Sequence, residues 1–291
     1  MPSSEMVKDL IEAGIHFGQR KSGWNPKMAP YIYGARNKIH IIDIRETIKG
    51  LLLARKFITR TVASGKDICY VGTKRQARGA VEARAIEVGM PYVIERWLGG
   101  TLTNFKTIRE RLKRLVELEK LVDSGEIETY SKKMASQLMR EKRKITRNLQ
   151  GIRDMKKLPG ALFIIDVQRE TNALREARTL GIPTIALIDT DGDPGMADIP
   201  IPGNDDSMRS IDVVLRELNE AVTEGKLSRG PEKGSTEEPN EQPAPARRSS
   251  RSRFRADEPA APAEDSASKA PAATESVAVA DPPSEMPPTA T

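Results

Sequence analysis

Short apolar runs alternate with helix-like segments between residues 39 and 224, and this alternation limits the possible folds more than any other feature of the sequence. The runs IHIID, ICYVG, LFIID and TIALID begin at residues 39, 68, 162 and 184, and shorter runs occupy residues 92–94 and 199–201. Helical patterns lie at about residues 45–64, 75–88, 170–180 and 205–224. Strands that are apolar on both faces and separated by helices are typical of a parallel sheet covered on both sides. The sequence therefore predicts an α/β protein with a doubly wound, mainly parallel sheet of about five strands.

A long insertion without any strand pattern separates residues 92–94 from the run at residue 162. Apolar residues recur there at spacings of three and four, first over residues 105–122 and again over 134–152. This periodicity predicts two helices, and a helix over residues 104–122 would be roughly 28 Å long at about 1.5 Å per residue. We therefore expect a helical hairpin over residues 104–155 that protrudes from the sheet as a coiled-coil arm.

The composition changes abruptly after residue 228. Residues 229–291 hold 11 of the 20 prolines, no leucine, no isoleucine and a single aromatic residue, Phe254. Such a segment cannot bury enough apolar surface to offset the entropy lost on ordering. The expected organisation is one α/β domain over residues 1–228 and a disordered tail over residues 229–291. An arginine cluster among the serines of the tail either contacts RNA or is simply solvated.

Charge is divided unevenly along the chain. Residues 1–155 carry 31 basic and 17 acidic side chains, whereas residues 156–228 carry 8 basic and 13 acidic ones. A basic half is the electrostatic footprint of a protein that meets a polyanion, because cations placed on phosphates release condensed counterions. A generally basic, solvated surface is the alternative. Within the arm, 14 basic against 8 acidic residues over 101–155 favour RNA contact over helix-stabilising pairs alone.

Three kinds of segment supply the candidate RNA-binding cations: an aromatic-rich loop, a strand–helix turn, and the arm with its entry. The loop, residues 18–38, contains Trp24, Tyr31 and Tyr33, which either stack on unpaired bases or plug the edge of the core. At the turn, Thr73 is expected to cap a helix whose first N–H groups offer a phosphate site. The candidates are Arg20, Lys21, Lys27, Arg36, Lys38, Lys74, Arg75, Arg96, Arg109, Lys113, Lys132, Lys133, Arg140, Lys142, Arg143, Lys144 and Arg147.

Motifs for catalysis are missing from the sequence. It contains no GxxxxGK[ST], GxGxxG or GxSxG pattern. Neither His16 nor His40 has a convincing set of partners, and the lone Cys69 excludes a disulfide framework or a cysteine zinc site. Apolar runs are far shorter than the roughly 20 residues that span a membrane, and no signal sequence is present. We therefore predict a cytoplasmic protein that is not an enzyme and has no cofactor, small-molecule substrate or membrane partner.

Carboxylates follow the last two predicted strands. Oxygen ligands at the carboxyl edge of a parallel sheet suit Mg²⁺, so Asp189, Asp205 and Asp206 are the candidates for a divalent ion. The alternative, which we favour, is a pair of capped turns: Asp193-Pro194-Gly195 forms one turn, and Asn204 or Asp205 caps the last helix. The prediction for this edge is therefore that no metal is bound.

Five motifs occur in the order seen in a known family. They are His16-Phe-Gly18, Trp24-Asn-Pro-Lys-Met28, Gly72-Thr-Lys-Arg75, Arg96-Trp-Leu-Gly-Gly100 followed by Leu102-Thr-Asn104, and Ile201-Pro-Gly-Asn-Asp205. Over about residues 4–227 the chain resembles bacterial small-subunit ribosomal protein S-two. Many relatives have His at the position of Gln19 and Asn at that of Asp191, and both departures argue against a metal site.

The resemblance implies a structural component of the small ribosomal subunit, with an α/β domain and a protruding coiled-coil arm. Its partners would be small-subunit ribosomal RNA and other small-subunit ribosomal proteins, including S-one, whose docking it supports. The implied location is the cytoplasmic ribosome. Two other functions are compatible with the fold: a nucleotide-dependent enzyme on a doubly wound sheet, and a protein-only scaffold that uses its arm as a coiled-coil partner.

Overall fold

The computed structural model describes residues 4–229. The tail predicted for residues 229–291 therefore lies outside the described residues, apart from Arg229. In chain order the helices and strands are α1 (Ser4–Glu12), β1 (Phe17–Arg20), β2 (Ile32–Arg36), β3 (Ile39–Ile42), α2 (Ile44–Ala63), β4 (Ile68–Val71), α3 (Arg75–Glu87), β5 (Tyr92–Val93), α4 (Phe105–Asp123), α5 (Lys132–Leu149), β6 (Ala161–Ile165), α6 (Thr171–Leu180), β7 (Thr184–Ile188), β8 (Ile199–Pro202) and α7 (Met208–Ser228).

A parallel sheet of five strands in the order β5-β4-β6-β7-β8 forms the centre of the fold. Every residue of β4, β6 and β7 is buried, as their continuous apolar sequences predict. Alternate residues face opposite layers: Tyr70 and Phe163 pack with α2, α3 and α7, whereas Val71 and Ile164 pack with α6 and the arm. The predicted fold class, α/β with helices on both faces of a parallel sheet, is confirmed.

The run at residues 39–43 is a strand, but it does not join the parallel sheet. Instead β3 pairs antiparallel with β1 and β2 in a separate sheet of order β1-β3-β2. Exposed and buried positions alternate at its start, with Ile39 at 38% exposure beside buried His40. The prediction of a buried strand was therefore wrong, since one face of β3 meets solvent. Helix α1 and strands β1 and β2 were not predicted.

The insertion is a helical hairpin, as predicted. Helix α4 ends where Gly125 adopts a φ of +74°, and α5 begins after Ser131, whose side chain accepts a hydrogen bond from the Met134 N–H. An apolar seam joins the two helices through Leu112, Leu115, Leu118, Leu138 and Ile145. It continues without a break into the apolar layer that covers one face of the parallel sheet.

The last helix begins later than predicted. Ser207 caps α7 by accepting a hydrogen bond from the Ser210 N–H. The Asn204 side chain instead accepts from the N–H groups of Asp206 and Ser207, and the Asp205 carboxylate accepts from Lys74. The expectation that Asn204 or Asp205 caps this helix is wrong. Among residues 4–229, no helix combines the length and the apolarity needed to cross a membrane.

Candidate nucleic-acid interface

Cations line the outside of the arm, away from its apolar seam. Arg114 is paired with Glu117 and Glu141, and Arg153 with Glu119. Arg140 bonds to Ser136 of its own helix. Within the described part of the chain, the remaining candidates have neither an ion pair nor a side-chain hydrogen bond: they are Arg109, Lys113, Lys132, Lys133, Lys142, Arg143, Lys144 and Arg147. All of these are exposed except Lys142, which is half-buried.

The antiparallel sheet carries a second group of cations. Arg20, Lys21, Arg36 and Lys38 are all exposed, and among residues 4–229 none has an ion pair. The turn between β2 and β3 places two consecutive residues at positive φ, Asn37 at 51° and Lys38 at 64°. Such a two-residue turn matches the twist of the two strands, and it projects both side chains outward. Lys27 differs from the others, because its Nζ lies 2.6 Å from a carboxylate oxygen of Asp193.

The aromatic residues of this segment divide between the two predicted roles. Tyr33 is 80% exposed and is free to stack on a base. Tyr31 packs on the core, and Trp24 lies against the ring of His40 at a centroid distance of 5.2 Å. Tyr33 therefore fits the stacking role, and Tyr31 fits the role of plugging the core.

The strand–helix turn at Lys74 faces carboxylates instead of solvent. The Lys74 Nζ lies 2.6 Å from one oxygen of Asp205, 2.6 Å from one of Asp206 and 3.6 Å from one of Asp166. Lys74 is only 8% exposed. Burial alone would lower the pKa of Lys74, but the charges and hydrogen bonds of these carboxylates raise it above its usual value. Lys74 is therefore held as a buried cation, and its predicted role as a phosphate ligand does not fit its position.

Two neighbours of Lys74 complete this turn. The prediction that Thr73 caps α3 is wrong, because both the N–H and the hydroxyl of Thr73 donate to the buried carboxylate of Glu170. Arg75 is exposed and, within the described residues, has no partner. The candidate phosphate site at this turn is thus reduced to Arg75 and the first N–H groups of α3.

The acidic cluster of Asp189, Asp205 and Asp206 brings one oxygen from each side chain within 4.8 Å of the others. The protein itself places a cation beside this cluster, since Lys74 pairs with Asp205 and Asp206. The Gln19 side-chain amide donates to Asp189 and Asp206. Burial raises the pKa of Asp189 to about 6, and burial also raises that of Asp205 despite the opposing charge of Lys74. The geometry therefore fits a lysine–carboxylate network better than a divalent-ion site.

Residues 97–103 lead into the arm, and we call them the glycine loop. This loop is held by a residue that the sequence did not indicate. The Glu176 carboxylate of α6 accepts hydrogen bonds from Trp97 Nε1 at 3.0 Å and from the N–H groups of Gly100 at 2.8 Å, Leu102 at 2.9 Å and Thr103 at 3.1 Å. Burial raises the pKa of Glu176, but these hydrogen bonds bring it below its usual value. Gly100 adopts a φ of +87°, which requires glycine.

Arg96 lies just before this loop and is exposed, with no partner among residues 4–229. Its position extends the cationic surface from the arm toward the sheet. No spacing rule links residues 97–103 to a glutamate 76 residues after Gly100, so Glu176 is visible only in the folded chain.

Comparison with known proteins points to one family. The family described as Ribosomal protein S2 matches residues 10–225. The small ribosomal subunit protein uS2 of Rhodopirellula baltica is 59% identical over 224 residues, which cover 77% of this chain and 86% of that protein. The proteins of the same description from Syntrophobacter fumaroxidans and Salinispora arenicola are 49% and 48% identical, and the matches cover 76% and 80% of this chain and 80% and 84% of theirs.

Proposed function

This chain belongs to the ribosomal protein S2 family, and on that premise we propose that it binds small-subunit ribosomal RNA through the cations of its arm and of its antiparallel sheet. Membership makes it a structural protein of the small ribosomal subunit, active in translation, and not an enzyme. We propose the cytoplasmic ribosome as its place of action and neighbouring small-subunit proteins as its further partners.

The observation that carries the RNA proposal is the set of arm cations that no carboxylate of residues 4–229 neutralises. Like charges on one helix surface repel each other and oppose compact folding unless a partner of opposite charge relieves them. A phosphate backbone is such a partner, and each cation placed on it releases condensed counterions. The proposed contacts are Arg20, Lys21, Arg36, Lys38, Arg75, Arg96, Arg109, Lys113, Lys132, Lys133, Arg140, Lys142, Arg143, Lys144 and Arg147.

The test removes three consecutive arm cations together, Lys142→Ala, Arg143→Ala and Lys144→Ala. Binding of the full chain to small-subunit ribosomal RNA is measured over a range of salt concentrations. The slope of log affinity against log salt should become shallower by about two to three, because each phosphate contact contributes about one.

A matched control removes the same number of positive charges from the opposite layer of the fold, with Lys56→Ala, Arg60→Ala and Lys66→Ala. These three side chains are exposed on or just after α2, and they should leave the slope unchanged. If the arm variant keeps the wild-type slope, the arm does not contact RNA.

Sedimentation from a gentle lysate distinguishes RNA binding from a protein-only scaffold. The tagged chain should migrate with small ribosomal subunits, and this migration should be lost after ribonuclease treatment or in high salt. Co-migration with other proteins that withstands both treatments would favour the scaffold, which uses the arm as a coiled-coil partner.

We also propose that the chain supports docking of ribosomal protein S-one, a role that rests on family membership. The test compares small subunits reconstituted with and without this chain, at equal amounts of the other proteins. S-one should be retained on complete particles and lost from those without the chain. Equal retention on both would refute this role and leave RNA binding untouched.

A further inference from the structure

A groove lies at the base of the arm, between α4, α5 and the glycine loop. Its volume is about 570 Å³, within the range of about 300–1,000 Å³ that is typical of small-ligand pockets. Leu98, Ile108, Ile145 and Leu149 line it with apolar surface, and the last three of these are buried. The groove therefore offers a slot that is large enough for a flat ring and is partly lined by apolar side chains.

The rim of the groove is polar and cationic. Arg111 and Lys144 are exposed on it, and within residues 4–229 neither has an ion pair or a side-chain hydrogen bond. The half-buried amide of Asn148 is likewise without a hydrogen-bond partner in the described part of the chain. Thr107 also stands on the rim, where its hydroxyl donates to Asn104.

One carboxylate, that of Glu141, also lines the groove. It lies 3.6 Å from Arg114, so its charge is partly compensated. A carboxylate in this position is an acceptor for the exocyclic amine of a base.

The wall formed by the glycine loop is fixed before any ligand arrives. Glu176 accepts a hydrogen bond from the Gly100 N–H at 2.8 Å, and the Thr101 hydroxyl donates to the Leu98 carbonyl at 2.5 Å. A preformed wall lowers the entropy that binding must overcome. The slot is therefore built into the fold and does not depend on closure of a loose loop.

We propose that this groove receives one unpaired nucleotide of ribosomal RNA, with its base against the apolar lining, its edge at Asn148 and Thr107, and its phosphate at Arg111 and Lys144. This proposal rests on the RNA binding proposed above. Two features favour an unpaired nucleotide over a duplex: the apolar lining suits the face of a base, and the amide suits a base edge. In a duplex the faces are stacked and the major-groove edges are out of reach.

The test uses neutral substitutions, so that the electrostatic attraction to RNA stays unchanged. The full chain carrying Thr107→Ala and Asn148→Ala is compared with the wild type for binding two labelled probes, a single strand of about eight nucleotides and an RNA duplex of about 16 base pairs. Single-strand affinity should fall about tenfold, because contacts to a base edge are lost. Duplex affinity and the salt dependence should stay within about twofold of the wild type.

The matched control is Thr129→Ala with Gln137→Ala, which likewise removes one hydroxyl and one carboxamide, from exposed arm positions outside the groove. It should leave both affinities unchanged. A groove variant that binds the single strand as tightly as the wild type, or that loses both probes equally, would overturn the groove proposal while RNA binding stands. Failure of the wild type to bind either probe would overturn the proposed function as well.

Photo-crosslinking of the unmodified chain supplies an answer if the groove variant does not fold. Ultraviolet irradiation of the wild-type chain bound to unmodified small-subunit ribosomal RNA should crosslink an unpaired nucleotide, whatever its base, to peptides within residues 98–111 or 141–149. Crosslinks confined to other peptides would also overturn the proposal.

Discussion

The substitution Glu176→Gln tests whether one carboxylate organises the entry to the arm. In the folded chain one oxygen of Glu176 accepts from Trp97 and Gly100, and the other accepts from Leu102 and Thr103. Glutamine keeps a single acceptor oxygen, so its NH₂ group must face two of these N–H donors. The N–H of Thr103 is exposed and turns to water, whereas Trp97 and Leu102 are 6% and 2% exposed and cannot.

The cost follows from that difference in exposure. A buried donor left without its partner costs about 1–3 kcal/mol, and a hydrogen bond to a charged group is worth about 1.5–3 kcal/mol. Because Glu176 is only half-buried, we expect a loss within these ranges and below their upper limit, about 2 kcal/mol in the free energy of unfolding. For a domain of this size that lowers Tm by about 4–8 °C.

Urea unfolding followed by tryptophan fluorescence measures the effect, with Trp97 as a reporter inside the loop. The control is Glu110→Gln, an exposed acid on α4 without a partner among residues 4–229, which should change stability by less than about 0.5 kcal/mol. If Glu176→Gln costs no more than this control, the carboxylate does not hold the loop and the reasoning fails.

The pH dependence supplies a second check on Glu176. Its folded-state pKa is lower than usual, so its contribution to stability is present above the unfolded pKa of about 4.3. This contribution disappears as pH falls through the folded pKa. The gap in stability between the wild type and Glu176→Gln should therefore be full at pH 7 and close below about pH 4.

The carboxylate cluster yields two further predictions. Lys74→Met leaves Asp205 and its neighbours without their cation and should cost up to about 3–5 kcal/mol at about pH 9, where Asp205 is ionised beside Lys74 in the wild type, because burial raises the pKa of Asp205 to about 8. The cost should shrink at about pH 6, where Asp205 keeps its proton, and an equal cost in urea melts at both values would contradict this. Burial raises the pKa of Asp189 from its ordinary value to about 6, so folding becomes less stable as pH rises from about 4 to 6, by up to about 3 kcal/mol. Asp189→Asn should flatten that decline in unfolding midpoints measured across the window, and a variant that declines as steeply as the wild type would show that another group titrates.

Sequence reasoning worked best where one physical factor dominates. Strands such as Ile68–Val71 and Ala161–Ile165 are buried on both faces, so continuous apolar sequence identifies them directly. The arm repeats its apolar residues over several turns, and few other structures share that period. In both cases the order of apolar residues along the sequence directly indicates which positions are buried in the folded protein.

It failed where the deciding contact is distant along the chain. The run at 39–43 has the composition of a buried strand, yet its partners are β1 and β2, whose short, glycine- and proline-rich surroundings read as a loop. Lys74 has the positive charge of a phosphate ligand, but in the folded chain it is buried and donates to Asp205, which lies 131 residues later in the sequence. Positive charge alone does not reveal whether a side chain is free or already paired.

The apolar seam of the arm and one layer of the parallel sheet form a single continuous cluster, from Leu115 and Leu138 through Trp97 to Val71 and Ile164. The base of the arm is consequently held by continuous side-chain packing along this seam, and not by a hinge of loosely packed residues. A load placed on the outer turns of the arm passes through side-chain contacts to the centre of the sheet. The direction in which the arm points is thus set by the same packing that keeps the domain folded.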